Sequence, residues 1–487
     1  MIIIRPATIS RKRVKALLAC TAVTVLLGAC TLAPDMKKVE TSLPQDYPVE
    51  VSSEVAAADA QVPKLSEISW QDYYKDDALR SLIEIGLANN NDVRSAALRI
   101  AEARALYGIE ESALLPSLDA DGAYTRQKTN AIGFTPNGGS SSFISESYQV
   151  NFGITAYELD FFGRIRSLKD AALNEFFSTQ AALQTARLTL ISDIATAYTS
   201  LRTNQALLKL AEETLATRQD SFDLISRRTE AGVATDLELA QAESLLLQAR
   251  VDMHEFIDSA QRDKNALRVL IGTPDKDLDY DLPRWGGYFP DIMADIKVGM
   301  PSDLLTSRPD IMAAEYRLYA ANADIGAARA AFFPSLSLTS TAGYSSGELR
   351  NLFESSSQVW RFAPQISLPI FTAGRLKNNL SLSEVRKELA VVEYEDTVEQ
   401  AFREVSDALS TAATVDARFI DQNALVQTAE KRLLLSEKRY EAGIESYLAV
   451  LDAKRELYTA RQNEIRIRSA KATNRINLFR AVGGGAL

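Results

Sequence analysis

Side chains that carry chemistry are scarce in this chain. His254 is the single histidine among 487 residues, and Cys20 and Cys30 are the two cysteines. A single histidine excludes a multi-histidine metal site within the chain and argues against histidine-based catalysis. No catalytic residue and no metal-ligand set is assigned, because an enzyme here would have to work on carboxylates alone. One charged arrangement stands out near the C-terminal end. Leu448 and Asp452 are four apart and Asp452 and Arg455 three apart, so all three share one helix face. By itself that is an ordinary surface ion pair, worth about 0–1 kcal/mol. The net charge of −10 argues against nucleic acid as a partner, since such a binder needs a basic footprint.

The chemistry that remains is modification of a thiol. Arg5, Arg11, Lys12, Arg13 and Lys15 form a cationic start, followed by the apolar run Ala16 to Leu27. That run is shorter than the roughly 20 residues a spanning helix needs, and it reads as a signal peptide. It closes on Leu27-Gly28-Ala29-Cys30, which resembles the bacterial lipobox, where the cysteine is lipidated and becomes the first residue. Cys20 is a weaker candidate because less apolar sequence precedes it. Thr31 rather than Asp follows Cys30, which resembles lipoproteins sorted to the outer membrane. Losing the signal peptide takes the net charge from −10 to −15, and Cys30 is then the chain's last cysteine, so no internal disulfide forms. The covalent lipid on Cys30 is the one attached group expected, with no other cofactor.

Two long stretches repeat at a constant offset of 211. RRTEAGVATDLELAQAESLLLQAR begins at Arg227, and Gly232, Leu237, Ala242, Leu246 and Arg250 align with Gly443, Leu448, Ala453, Leu457 and Arg461. A repeat this long indicates a duplicated architecture, not a short solenoid. Each copy reads as helix, tight turn, helix. No Gly or Pro occurs from Arg164 to Ala231 or from Arg375 to Ala442, and each run is 68 residues. At 1.5 Å per residue such a helix is about 100 Å long. Helices of that length need lateral packing.

Between the helices the period changes from 3.6 to 2. Leu118, Ala120 and Tyr124 alternate with Asp119, Asp121, Thr125 and Gln127. Tyr148, Val150, Phe152, Ile154 and Ala156 alternate with Gln149, Asn151, Gly153 and Thr155. The second half repeats this with Leu336 and Leu338, and then with Trp360, Phe362, Ile366, Leu368 and Ile370. Pro364 and Pro369 suit only an edge or a distorted position. Four strands with one polar and one apolar face suit a wet lumen and a lipid surface, yet the smallest membrane barrel has about eight. Open edges are not tolerated in lipid, so the chain must oligomerise.

The division expected is a signal peptide over 1–29, an extended linker over 30–66, a first repeat over 67–271, a connector over 272–308, a second repeat over 309–482 and a flexible C-terminus over 483–487. The first repeat holds strands near 117–128 and 147–160, a long helix over 164–231 and a return helix over 233–271. The second holds strands near 335–345 and 359–371, a long helix over 375–442 and a return helix over 444–482. The fold class is mixed α+β and mainly α.

Several segments carry a family resemblance over nearly the whole mature chain. They are Val298-Gly299-Met300-Pro301-Ser302-Asp303-Leu304-Leu305 with Arg308-Pro309-Asp310-Ile311, Trp70 with Leu79, Leu82, Ile83 and Asn89-Asn90, Phe333-Pro334-Ser335-Leu336, Phe371-Thr372-Ala373-Gly374-Arg375, and the Tyr440–Arg455 hairpin. On these residues the chain resembles the TolC-like outer membrane factors of tripartite efflux systems, in their OprM and NodT branch of lipoproteins. The resemblance implies a homotrimer sharing one 12-stranded barrel in outer membrane lipid, with a periplasmic helical barrel. It further implies a periplasmic adaptor (membrane fusion protein), an inner-membrane RND-type pump and passive conduction of small molecules such as drugs or metal ions. Similar ducts place Leu, Asp and Arg at the positions of Leu448, Asp452 and Arg455, where three chains would converge as a gate. The turns at Gly232 and Gly443 would fit the adaptor, with Arg228, Thr235, Asp236, Tyr440, Ser446 and Tyr447 as flanking contact candidates. Two other functions remain: an outer membrane channel for type I protein secretion, and a structural coiled-coil lipoprotein. The transported substrate is not readable from these residues.

Overall fold

The computed structural model describes residues 31–36, 44, 47, 68–131, 141–275, 292–294 and 301–485. The expected signal peptide, Cys30 and most of the 272–308 connector lie outside the described residues. In chain order the elements are α1 (Trp70–Tyr73), α2 (Asp77–Asn89), α3 (Asn91–Ser112), β1 (Asp119–Ala131), β2 (Ser141–Leu159), α4 (Arg164–Glu230) and α5 (Asp236–Leu270). They continue as α6 (Leu304–Ser307), α7 (Pro309–Ala330), β3 (Ser335–Ser346), β4 (Gln358–Ser367), α8 (Arg375–Glu441) and α9 (Tyr447–Ala481). The chain divides into two compact units, the first made of residues 1–39, 100–178 and 315–393, the second of the remainder.

The first unit is built on a four-stranded antiparallel sheet in the order β1-β2-β3-β4. Its register sorts the two faces. Asp121 opposes Asn151, Asn151 opposes Gly343, Thr341 opposes Arg361 and Ser337 opposes Gln365. Directly opposed residues share a face, so these polar side chains line one side. The other side collects Tyr124, Tyr148, Val150, Phe152, Tyr344, Trp360, Phe362 and Ile366. Two of these, Trp360 and Ile366, are 80% and 72% exposed. Among the described residues, neither β1 nor β4 has a partner on its outer edge. Pro364 opposes Leu338 from within β4 and, having no N–H, leaves one backbone donor out of the ladder there.

The simple alternation expected for β2 fails at one place. The register shifts between Ile154 and Tyr157, so Thr155 and Ala156 stand where β3 offers only Thr339, one residue extra. Ala156 takes φ 55° in that bulge, and Tyr157 replaces it opposite Leu338 on the apolar side. A bulge carries an extra residue and reverses the facing of the strand beyond it, which no period-2 pattern reports. The strand bounds also need correction. β2 begins at Ser141, not near 147, because backbone pairing with β1 extends through a serine-rich stretch that has no alternation to read. β1 runs from Asp119 to Ala131, displaced from 117–128 for the same reason. β4 ends at Ser367, not near 371, and Pro369, which has no N–H to donate, lies just beyond.

The same unit holds the described start of the chain. Asn322 donates to the Pro34 carbonyl at 2.9 Å and Arg329 to the Leu32 carbonyl at 3.4 Å. Tyr157 donates to the Leu114 carbonyl at 2.7 Å. Phe162 stacks on Phe333 at 4.8 Å, joining the two helix–strand corners.

The second unit is helical, with an aromatic centre. Tyr73 stacks on Phe479 at 4.4 Å, Tyr74 meets the same ring edge-on at 5.7 Å, and all three are buried. Asn90 caps α3, accepting from the Asp92 and Val93 N–H groups at 2.8 and 3.2 Å. Its side-chain amide donates to the Leu270 carbonyl at 2.9 Å. Arg308 is 7% exposed and is fully engaged. It donates to both Asp310 oxygens at 3.1 and 2.6 Å, to Glu404 at 2.8 Å and to the Ala481 carbonyl at 2.7 Å. Burial alone would lower its pKa, but the hydrogen bonds and charges of Asp310 and Glu404 outweigh that and raise it. Replacing Arg308 with methionine leaves the Ala481 carbonyl and two partly solvated carboxylates without their donor and is expected to cost about 1–3 kcal/mol. Thermal unfolding followed by far-UV circular dichroism checks this, and an unchanged midpoint would show the cluster to be dispensable.

The C-terminus differs from the flexible stop expected of three consecutive glycines. Gly483 and Gly484 are buried, with φ 99° and 72°, and the Gly484 N–H reaches the Phe479 carbonyl at 2.9 Å. A Cβ on Gly483 would lie 2.5 Å from the Ser307 carbonyl oxygen. The glycines are there because left-handed backbone and a close approach demand them, and they pack the end of α9 into the unit.

Candidate functional site at the helical turns

Four helix ends meet in the second unit: the last turns of α4 and α8 and the first turns of α5 and α9. Ile225, Ala242, Tyr447, Val450 and Leu451 form a buried cluster, and Phe222, Leu239, Leu433 and Tyr440 pack against it. Each long helix ends in a left-handed glycine, Gly232 at φ 71° and Gly443 at φ 70°. No atom lies within 4 Å of a Cβ built on either one, so backbone conformation alone requires glycine. The Val233 and Ala234 N–H groups both turn back to the Arg228 carbonyl, at 2.8 and 3.1 Å. Those bonds occupy residues 231–235 with a turn, and the return helix begins at Asp236 where continuation from 233 was expected. The second turn is closed likewise by Ile444 on the Arg439 carbonyl at 2.9 Å, which delays α9 to Tyr447.

The two turns are finished by different caps. Thr235 and Glu238 form a reciprocal capping box, the Thr235 N–H donating to the Glu238 carboxylate at 2.8 Å. Ser446 makes no side-chain cap bond. There the Arg439–Glu445 ion pair, at 2.9 Å, bridges the turn instead.

Of the flanking contact candidates, Thr235, Asp236 and Ser446 are exposed, as are Gly232 and Gly443. Arg228 and Tyr440 are half-buried and hydrogen-bonded to each other, with the guanidinium also 5.4 Å from the ring centroid. Tyr447 requires correction. It is 4% exposed and sits in the apolar cluster with its ring 5.0 Å from Tyr440, so its role is packing. An aromatic one residue inside a helix start reads as a tip residue in sequence, whereas the helix phase turns it inward.

Leu448, Asp452 and Arg455 project from α9 on one face, opposite the buried Val450 and Ala453, with the buried Leu451 flanking them one turn before Arg455. Leu448 is 40% exposed, and Arg455 pairs with Asp452 at 2.9 Å while both side chains stay solvated. At the aligned positions the first repeat offers Leu237, Gln241 and Ser244, so the ion pair exists in one repeat only.

A neighbouring network was not legible in sequence. Arg218 on α4 donates to the Leu245 carbonyl at 3.0 Å and lies 5.3 Å from the Tyr458 ring. The Tyr458 hydroxyl donates to Asp252 at 2.9 Å, and Lys454 donates to Ser221 at 3.1 Å. Burial pulls the Arg218 pKa down, and the positive charge of Arg455 adds to that effect. Burial and then the bond to Asp252 push Tyr458 up. These partners lie on separate helices, so no local spacing announces them. The network ties α4 and α5 to the helix that carries Asp452 and Arg455.

Comparison with known proteins agrees with this geometry. The family model described as outer membrane efflux protein matches residues 82–273 and 300–484. The probable efflux pump outer membrane protein TtgC of Pseudomonas putida is 40% identical over 477 residues, covering 97% of this chain and 96% of its own length. The crystal structure of a membrane protein from Pseudomonas aeruginosa superposes with a TM-score of 0.85 at 37% identity, covering 94% of this chain and 98% of its own. The open state of the Neisseria gonorrhoeae outer membrane channel MtrE gives 0.82 at 34% identity, covering 94% and 98%. A duplicated helical hairpin, a sheet with one polar and one apolar face, and matches along both repeats lead to one assignment: the chain belongs to the outer membrane efflux protein family and acts in the outer membrane.

Proposed function

We propose that three copies of this chain close one outer-membrane exit duct, which receives small molecules from a periplasmic adaptor and an inner-membrane RND-type pump. The observation that carries this reading is the sheet: β1 and β4 each leave an outer edge unpaired, while the apolar face is exposed. Unpaired strand edges cannot persist in hydrocarbon. Pairing β4 of one copy with β1 of the next removes both edges, and threefold closure yields 12 strands, within the range of membrane barrels. The polar face with Asp121, Asn151, Arg361 and Gln365 then faces the lumen. In planar bilayers the purified protein is expected to give stepwise single-channel currents and a heat-modifiable oligomer on gels. A monodisperse monomer without current refutes the duct.

The exposed turn residues Gly232, Thr235, Asp236, Gly443 and Ser446 supply the surface for the adaptor, with Arg228 and Tyr440 as a rigid platform beneath. Charge reversal by Asp236→Lys is expected to weaken adaptor cross-linking several-fold with the oligomer intact; full cross-linking would place the contact elsewhere. Lipid on Cys30 supplies a second anchor beside the barrel. Cys30→Ser is expected to abolish palmitate labelling and leave precursor at the inner membrane, and normal processing with undiminished label would show that Cys30 is not the lipidated residue.

A further inference from the structure

β3 and β4 are joined at the end of the sheet away from the helices, because α7 enters β3 and β4 leaves for α8 at the opposite end. The connection, residues 347–357, is built and not slack. It contains two 3-10 turns, Leu349–Asn351 and Ser355–Ser357. The Ser357 hydroxyl donates to the Asn351 carbonyl at 2.7 Å, and Glu348 accepts from Arg350 at 2.6 Å and from Asn351 at 3.2 Å. Leu349, Leu352 and Phe353 fall at i, i+3 and i+4, one side of a single turn, while Glu348, Arg350 and Glu354 stand off it. Leu352 is buried, but Leu349 and Phe353 are 63% and 70% exposed. One contact fixes the side of the sheet on which this turn lies. Phe353 stands edge-on to Tyr344 with ring centroids 5.6 Å apart, and Tyr344 opposes Val150 on the apolar side. The turn therefore leans over the side that carries Trp360 and Phe362, not over the polar side.

We infer that the β3–β4 turn is a membrane anchor, its partner the lipid surface of the leaflet farther from the helices, into which Leu349 and Phe353 insert beside the apolar face of the sheet. Exposed apolar side chains continuous with a lipid-facing surface are covered by the same lipid, which removes them from water. Aromatic side chains settle at the boundary between membrane and water, and a turn with one apolar and one charged side matches that boundary. Glu348, Arg350 and Glu354 stay on the aqueous side. A connection held outward in this way does not fold across the mouth of the duct, so conduction does not wait on its movement.

The anchor rests on the proposed duct, whose sheet lies in lipid, and the two are read separately. A nitroxide is attached to Leu349→Cys, Phe353→Cys, Glu354→Cys or Trp360→Cys, one per full-length chain in phospholipid vesicles, with the unsubstituted chain as the blank for Cys30. Electron paramagnetic resonance measures its collisions with oxygen, which concentrates in lipid, and with a water-soluble nickel chelate. At 349 and 353 the oxygen-to-nickel ratio is expected to exceed that at 354 several-fold and to approach that at 360. A water-like ratio at 353 with a lipid-like one at 360 overturns the anchor and leaves the duct standing. A water-like ratio at 360 as well overturns both. Few collisions with either reagent at 353 show that a neighbouring copy covers the turn, which also overturns the anchor. In planar bilayers a bulky charged thiol reagent is expected to leave the current through Phe353→Cys unchanged and to reduce it through Arg361→Cys, on the polar side. Reduced current through Phe353→Cys places the turn over the lumen and overturns the inference.

Discussion

Alanine at both Asp452 and Arg455 is expected to raise the resting conductance of the duct several-fold and to admit large antibiotics such as vancomycin. Within one chain the pair is solvated, at 2.9 Å with side chains 43% and 65% exposed, so it contributes only about 0–1 kcal/mol. In the proposed trimer, threefold symmetry changes its weight. Three copies acting together would bias closure by up to about 3 kcal/mol, on the order of a hundredfold in the open-to-closed ratio. That is strong enough to hold the resting state and weak enough for an adaptor to overcome by small helix shifts. Leu448 adds an apolar constriction next to the charges. The Arg218–Tyr458–Asp252 network sets the position of α9, so the double variant leaves the helix in place and removes only the contact. Planar-bilayer current and vancomycin susceptibility are the measurements. An oligomer that forms normally and conducts no more than wild type would show that these residues are not the gate.

The largest effect on assembly is expected from Gly343→Val. A Cβ at Gly343 would lie 2.1 Å from the Val150 carbonyl oxygen and 2.7 Å from the Asn151 Cα, both backbone atoms of the neighbouring strand. Backbone held in a sheet cannot swing away as a side-chain end can, so β2 and β3 must separate locally. Heat-modifiable oligomer is expected to disappear. Gly122→Val is the matched control, since nothing lies within 4 Å of a Cβ there. If the Gly343 variant assembles as well as the control, the close approach of these strands is not needed for the barrel.

The helices were legible because their signal is local. Two runs free of Gly and Pro, with glycine at the turns, place α4 and α8 within a residue of where they lie. Strand identity was legible from alternation, and the polar and apolar faces follow the register. What stayed hidden depends on partners distant in sequence. The bulge at Ala156 is set by pairing with β3, the start of β2 by pairing with β1, and the inward turn of Tyr447 by the packing of four helix ends. The Gly483–Gly485 run reads as loose in composition and is pinned by Ser307 and Leu188. For the candidate site, Leu448, Asp452 and Arg455 were found by helical spacing, whereas Arg218 and Asp252 could be found only in space.

The unpaired edges of β1 and β4 also fix the genetics of the protein. A barrel closed by three chains accepts any copy whose edges fit, whether or not the rest of that copy functions. A copy that keeps its β4 edge and loses its β1 edge still joins, and then leaves a seam that no neighbour can seal. With equal amounts of intact and edge-defective chains, about one assembly in eight is free of the defect, since every position must be filled correctly. If three chains close the barrel as proposed, edge mutations are expected to be dominant, while mutations that keep the chain from folding at all are expected to be recessive.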